Sequence, residues 1–169
     1  MAISMTEIAD RLAIMETLAR YCHGVDRCDA DTLAQAFWPE ATLDYGAYKG
    51  PAGPFFPALI NALREMRCTS HFISNVMITV QGERAKVETY CRAVHLLPGP
   101  DGEVEMDVGG RYIDVMECRD TQWRILTRLY VLDWNRNGPA TAIWDQGMYA
   151  QLTNRGARWP NDPFNAVQL

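Results

Sequence analysis

The chain carries three histidines, His23, His71 and His95, and a histidine can take or give a proton near neutral pH. His71 follows Thr69-Ser70, where a helical stretch hands over to an alternating one. Such a junction borders a cavity as readily as it packs in a core. His95 shares the apolar side of its segment with Cys91 and Ala93, and reads either as a core histidine satisfied by one hydrogen bond or as a group facing a ligand. His23 closes a helical stretch, where an imidazolium complements the helix dipole. Asp26, in Gly24-Val-Asp-Arg-Cys-Asp, could be solvated, cap the next helix, or point inward to orient an imidazole. Asp29 and Asp31 compete for the cap, which leaves Asp26 for the last use. A carboxylate that fixes one ring nitrogen leaves the other poised as a base. Tyr21, Tyr45 and Tyr48 lie near loops, as packing groups or as hydroxyl donors. Arg128, on the alternate face of the final strand from Ile125 and Leu129, is either a surface residue of its strand or a buried partner for a carboxylate or developing oxyanion.

The elements that would position these groups are legible. Ser4-Met-Thr-Glu7 is a capping box, followed by Ile8, Leu12, Met15, Leu18 and Cys22 at helical spacing. This predicts a helix over Thr6–His23, ended by Gly24. Asp29 or Asp31 caps a second short helix reaching Phe37 and stopped by Pro39. Ala41–Tyr45 reads as a strand and Lys49–Pro54 as a loop. A third helix follows, with Pro57 in its first turn and Phe56, Ile60, Leu63 and Met66 on its buried side. The period then changes to two. Strands are expected over Phe72–Val80, Ala85–Leu97, Val104–Cys118 and Gln122–Trp134, with Gly109-Gly110 marking a bulge or sharp bend. The tail from Asn137 is rich in Pro, Gly and Asn and holds at most a short helix between Ile143 and Leu152. Helices segregated to one side of a curved, mainly antiparallel sheet make an α+β fold.

With 169 residues, 48% hydrophobic and 22% charged, the chain reads as one domain over residues 1–169, its core at about 6–134 and its tail at 137–169. A net charge of −5 with no basic run argues against nucleic acid as a partner. The five cysteines form no CxxC pair, and no Cys/His cluster has zinc-ligand spacing, so no metal is expected and the thiols read as free. The N-terminal MAISMTEIADRL lacks the apolar region of a signal peptide, and no apolar stretch approaches the ~20 residues that cross a bilayer. A cytoplasmic protein without membrane contact is expected.

The layout resembles the SnoaL-like, polyketide-cyclase-like branch of the nuclear transport factor 2 superfamily. The likeness is carried by Tyr21-Cys-His-Gly-Val-Asp26, Asp31-x5-Phe37-x2-Glu40-Ala-x-Leu-Asp44, Tyr48-Lys-Gly50, Ser70-His71-x3-Asn75 and Trp123-Arg-Ile-Leu-Thr-Arg128. The resemblance implies a cone, a strongly curved mixed sheet wrapped around helices and enclosing an apolar pocket. Within the superfamily the constellation is similar to that of scytalone dehydratase, bile-acid dehydratase and hexachlorocyclohexane dehydrochlorinase. It implies an Asp26–His71 dyad, with Tyr21, Arg128, His95 and Tyr45 as further catalytic residues. Tyr48, Phe37, Phe55, Phe56, Met77, Met106, Met116 and Trp134 would form the substrate pocket. The activity implied is a cofactor-free elimination of water or another small group, formaldehyde included, from a bulky aromatic, polyketide-like or steroid-like substrate. An isomerase or cyclase, or a non-catalytic subunit like the β subunit of ring-hydroxylating dioxygenases, is the alternative. The mixed outward face of Ala85–Leu97 suits a homodimer or homotrimer.

Overall fold

The computed structural model describes residues 4–168; the first three residues of the segment read above as non-leader, and the last residue of the tail, lie outside it. Ser4 caps the first helix, accepting from the Glu7 amide at 3.1 Å, and α1 runs Met5–Arg27. It passes Gly24 and ends at Cys28, whose φ of 54° is left-handed. Gly24 is instead a packing position, because a Cβ there would stand 2.7 Å from the Leu33 backbone. Asp26 therefore belongs to the last helical turn. The buried stripe is Ile14, Leu18, Tyr21 and Val25, whereas Ile8, Leu12 and Met15 are exposed. Thr17 and Asp10 tie α1 to the sheet, through the Trp123 carbonyl at 2.7 Å and the Trp123 indole at 2.9 Å.

Asp29, not Asp31, caps α2 (Ala30–Gln35), and Phe37 already opens β1 (Phe37–Asp44). After β2 (Lys49–Pro51), α3 spans Ala52–Arg64, so Pro57 falls inside the helix, not in its first turn. The long strands are β3 (Cys68–Gln81), β4 (Arg84–Gly99), β5 (Gly102–Arg119) and β6 (Gln122–Pro139). The sheet order is β2-β1-β6-β5-β4-β3. Every pairing is antiparallel except β1–β6. The sheet is open, and α1 and α3 pack in its concavity, the arrangement of a nuclear transport factor 2-like α+β cone. The tail holds two short 3-10 turns, Gly147–Gln151 and Pro163–Ala166. Among the described residues no helix is long and apolar enough to cross a membrane.

Two bulges decide which side chains face the helices. On β3 the register shifts between Ser74 and Met77, with Asn75 at a left-handed φ of 47°. Thr69, His71 and Ile73 face inward before the shift, and Val76, Ile78 and Val80 after it. On β6 an extra residue at Leu126 moves the inward phase from Trp123 and Ile125 to Arg128 and Tyr130. An extra residue in one strand reverses its alternation, which a strict period of two cannot anticipate.

Candidate active site

A cavity of about 280 Å³ lies between the helices and the inner sheet face. Its wall is apolar on most sides, from Val25, Leu59, Leu63, Met66, Met106 and Val108, and polar where His71, His95 and the tyrosines meet. His71 enters from β3, and Asp26 stands behind it on the last turn of α1. The two side chains are joined by a 2.6 Å hydrogen bond from His71 Nδ1 to Asp26 Oδ1. A carboxylate only accepts, so the proton sits on Nδ1. The Asp26 carboxylate also takes the His71 backbone N–H at 2.9 Å and the Thr69 hydroxyl at 3.1 Å. His71 Nε2 has no hydrogen-bond partner among the described residues.

His95, on β4, meets His71 edge to face at 5.4 Å between ring centroids. Burial, with the neighbouring His71 adding to it, pushes its pKa down to about 4, so the ring is neutral at pH 7. Its Nδ1 is buried without a partner. The opposite wall is a tyrosine cluster. The Tyr21 hydroxyl lies 3.1 Å from that of Tyr45 and 3.5 Å from that of Tyr112. Burial raises the pKa of all three, and the Tyr45 hydroxyl lifts that of Tyr21 further, so each stays protonated and can donate.

Arg128 stands behind this wall rather than on it. It is 1% exposed and held by Asp114 through two bonds, Nε to Oδ1 at 2.8 Å and Nη2 to Oδ2 at 2.7 Å. Its guanidinium is sandwiched between the rings of Tyr21 and Tyr112, 4.1 and 4.0 Å from their centroids. Burial opposes the charge, but the Asp114 carboxylate outweighs it and holds the guanidinium protonated. Arg128 thus does not line the cavity but braces Tyr21 and Tyr112, and its Nη1 is buried without a hydrogen-bond partner among the described residues.

Of the residues expected to line the pocket, Phe55 and Met106 do so, beside Tyr21, Tyr45, His71 and His95. The others lie elsewhere. Met77 is 69% exposed because the Asn75 bulge turns it outward. Trp134 is 47% exposed and lies over Gly109, where a Cβ would come within 2.1 Å of the indole. Met116 is wholly buried on the inner sheet face, outside the cavity wall. Phe37 and Phe56 pack against each other and line a separate open groove of about 700 Å³, which contains no histidine or carboxylate. Tyr48 stacks on Phe55 at 4.5 Å and donates to the Pro51 carbonyl, outside the cavity wall. The sequence reading missed Tyr112 and Tyr130 of the wall, Asp114 behind Arg128, and Thr69 beside Asp26. Tyr112 and Asp114 lie in phase with Met106 and Val108 on β5, so a strand-face reading could have grouped them. Among the described residues no group of three or more Asp, Glu, His or Cys could hold a metal ion.

The SnoaL-like domain family matches residues 6–129, which run from α1 into the first half of β6. The chain belongs to that family. An uncharacterized protein of Mycobacterium tuberculosis is 28% identical to this SnoaL-like chain over 130 residues, covering 75% of it and 88% of the relative. Among solved structures, a candidate scytalone dehydratase of Novosphingobium aromaticivorans has a TM-score of 0.71 at 21% identity, over 81% of this chain and 93% of that one. A type 2 hexachlorocyclohexane dehydrochlorinase has a TM-score of 0.68 at 22% identity, over 80% and 93%. These structures share the SnoaL-like fold.

Proposed function

We propose that this SnoaL-like protein is a cofactor-independent lyase in which His71, oriented by Asp26, removes a carbon-bound proton. One observation carries the reading: the 2.6 Å Asp26–His71 bond commits Nδ1 and leaves Nε2 without a partner on a residue of an apolar cavity wall. In the proposed reaction Nε2 takes the proton, and Asp26 stabilises the imidazolium that forms. The C–H electron pair becomes the new double bond as the bond from the adjacent carbon to the leaving oxygen breaks. The imidazolium then returns its proton to the departing oxygen, which leaves as water. Tyr21, Tyr45 and the neutral His95 donate hydrogen bonds to the oxygen that gains charge, each such donor being worth ~3 kcal/mol in a dry site.

The cavity, about 280 Å³, is at the small end of the ~300–1,000 Å³ typical of ligand pockets. It favours a one- or two-ring aromatic substrate over a four-ring steroid. A panel of aryl β-hydroxy carbonyl compounds and hydroxymethyl phenols tests this, followed by the ultraviolet absorbance of a conjugated product and by formaldehyde release. Conversion by the wild type and not by His71→Ala is expected; equal conversion by both contradicts the reading. The exposed Tyr90, Leu129 and Leu132, together with Ile8, Leu12 and Met15 on α1, support contact between copies of the chain. A homodimer or homotrimer is expected in light scattering, and a monomer at all concentrations would oppose it.

A further inference from the structure

Arg158 lies in the tail, beyond the family match to residues 6–129. It is half-buried, and its guanidinium reaches three elements at once. Nη1 donates to the Asp26 carbonyl and, at 3.0 Å, to Thr69 Oγ1. Nη2 donates to the carbonyls of Leu63 and Met66 at 2.9 and 3.2 Å. Asp26 and Leu63 are in the last turns of α1 and α3, where a cation is favoured. The surrounding tail is fastened to the same helix end. Trp159 N–H donates to the Arg27 carbonyl at 2.6 Å, and Asp162 takes Arg27 Nη1 at 3.3 Å and the Ala157 N–H at 2.9 Å.

Thr69 makes this clamp directional. Thr69 is buried, 2% exposed, and its hydroxyl has one proton. Because Oγ1 accepts from Arg158, that proton is turned to Asp26 Oδ1, which also receives His71 Nδ1–H. We infer that Arg158 is a positioning residue that aligns the Asp26–His71 pair through Thr69 and through the end of α1. Docking of the tail and alignment of the pair are then one event. The inference rests on the lyase reading for its catalytic meaning, but its structural content can be read without a substrate.

The test is the tautomer of His71, measured by long-range proton–nitrogen NMR correlation on the full chain labelled with 15N-histidine. His71 is expected wholly as the Nδ1–H tautomer in the wild type, and as a mixture of tautomers in Arg158→Met and in Thr69→Val. Arg158→Lys, which keeps the charge and part of the reach, should restore most of the wild-type signal. Combining Arg158→Met with Thr69→Val should shift it no further than Arg158→Met alone, because Thr69→Val cuts one of the two paths that Arg158→Met removes. If Arg158→Met does not fold, Thr69→Val and Arg158→Lys read the same relay. With a substrate converted in the panel above, Arg158→Met should lower kcat ~10- to 100-fold and leave KM within about twofold. An unchanged His71 tautomer in folded Arg158→Met or Thr69→Val overturns the inference, leaving Arg158 a structural staple. A wild-type His71 with its proton on Nε2 overturns it together with the pairing beneath. Altered tautomers in the variants of a protein without lyase activity would keep the clamp and reject the proposed function.

Discussion

Asp114→Asn removes a charge from the most buried ion pair of the molecule and barely changes volume. Both side chains of the Arg128–Asp114 pair are fully buried, and two charge-assisted bonds of 2.8 and 2.7 Å join them. Leaving one charge of such a pair without its partner typically costs 3–5 kcal/mol. The cation–π contacts to Tyr21 and Tyr112 remain, at about 0.5–2 kcal/mol each, and an asparagine still accepts one N–H. The low end of the range, about 3 kcal/mol, is therefore expected. For a chain of this size that is roughly 6–12 °C in Tm. Urea unfolding followed by circular dichroism measures it as a lower midpoint at unchanged slope. The double variant Arg128→Met/Asp114→Leu removes both charges and keeps the bulk, and should recover most of the loss. A cost below ~1 kcal/mol for Asp114→Asn, or a double variant no better than the single one, would refute the reasoning.

Three further outcomes follow from the geometry. His95 binds its proton only near pH 4 when folded, against an ordinary value of 6.5, so the unfolded chain binds more protons between those values. Its contribution to stability is complete above pH 6.5 and is lost as the pH falls to about 4, by about 2 kcal/mol allowing for residual solvent contact. His71 and Arg158 disfavour the His95 cation and Asp26 favours it, so His95→Gln should flatten that limb in urea midpoints taken at about pH 4.5 and 7.5. A wild-type limb retained in His95→Gln would assign the pH dependence to other groups. Gly24→Ala forces a Cβ to within 2.7 Å of the Leu33 backbone and should cost about 1–2 kcal/mol despite alanine's helix preference; a stabilised variant would show that α2 yields freely. Asp26→Asn should lower turnover at least ~100-fold with little change in Tm, and retained turnover would remove Asp26 from the mechanism.

Most of the fold was legible because its signals are local. The capping box placed α1 within a residue of its start, and alternation along β4 put Ala85, Val87, Thr89, Cys91, Ala93 and His95 on the inner face, where they lie. The pairing of Asp26 with His71 came from the family likeness rather than from periodicity, since 45 residues separate them. What was missed has physical causes. A bulge at Asn75 reversed the face of Met77, and another at Leu126 placed Arg128 in phase with Ile125. Gly24 read as a terminator because glycine ends helices, but close packing against Leu33 uses its missing Cβ instead. The tail carried no periodic pattern, so nothing local marked Arg158 as the group that reaches Asp26 and Thr69.

The central claim is that His71 Nε2 is the base. Its most direct test is turnover of a converted aryl β-hydroxy carbonyl substrate by His71→Ala and wild type side by side, with Tm measured on both. A loss of at least ~100-fold, at a Tm within a few degrees of wild type, is the expected result. Turnover by folded His71→Ala within a few-fold of wild type would contradict it.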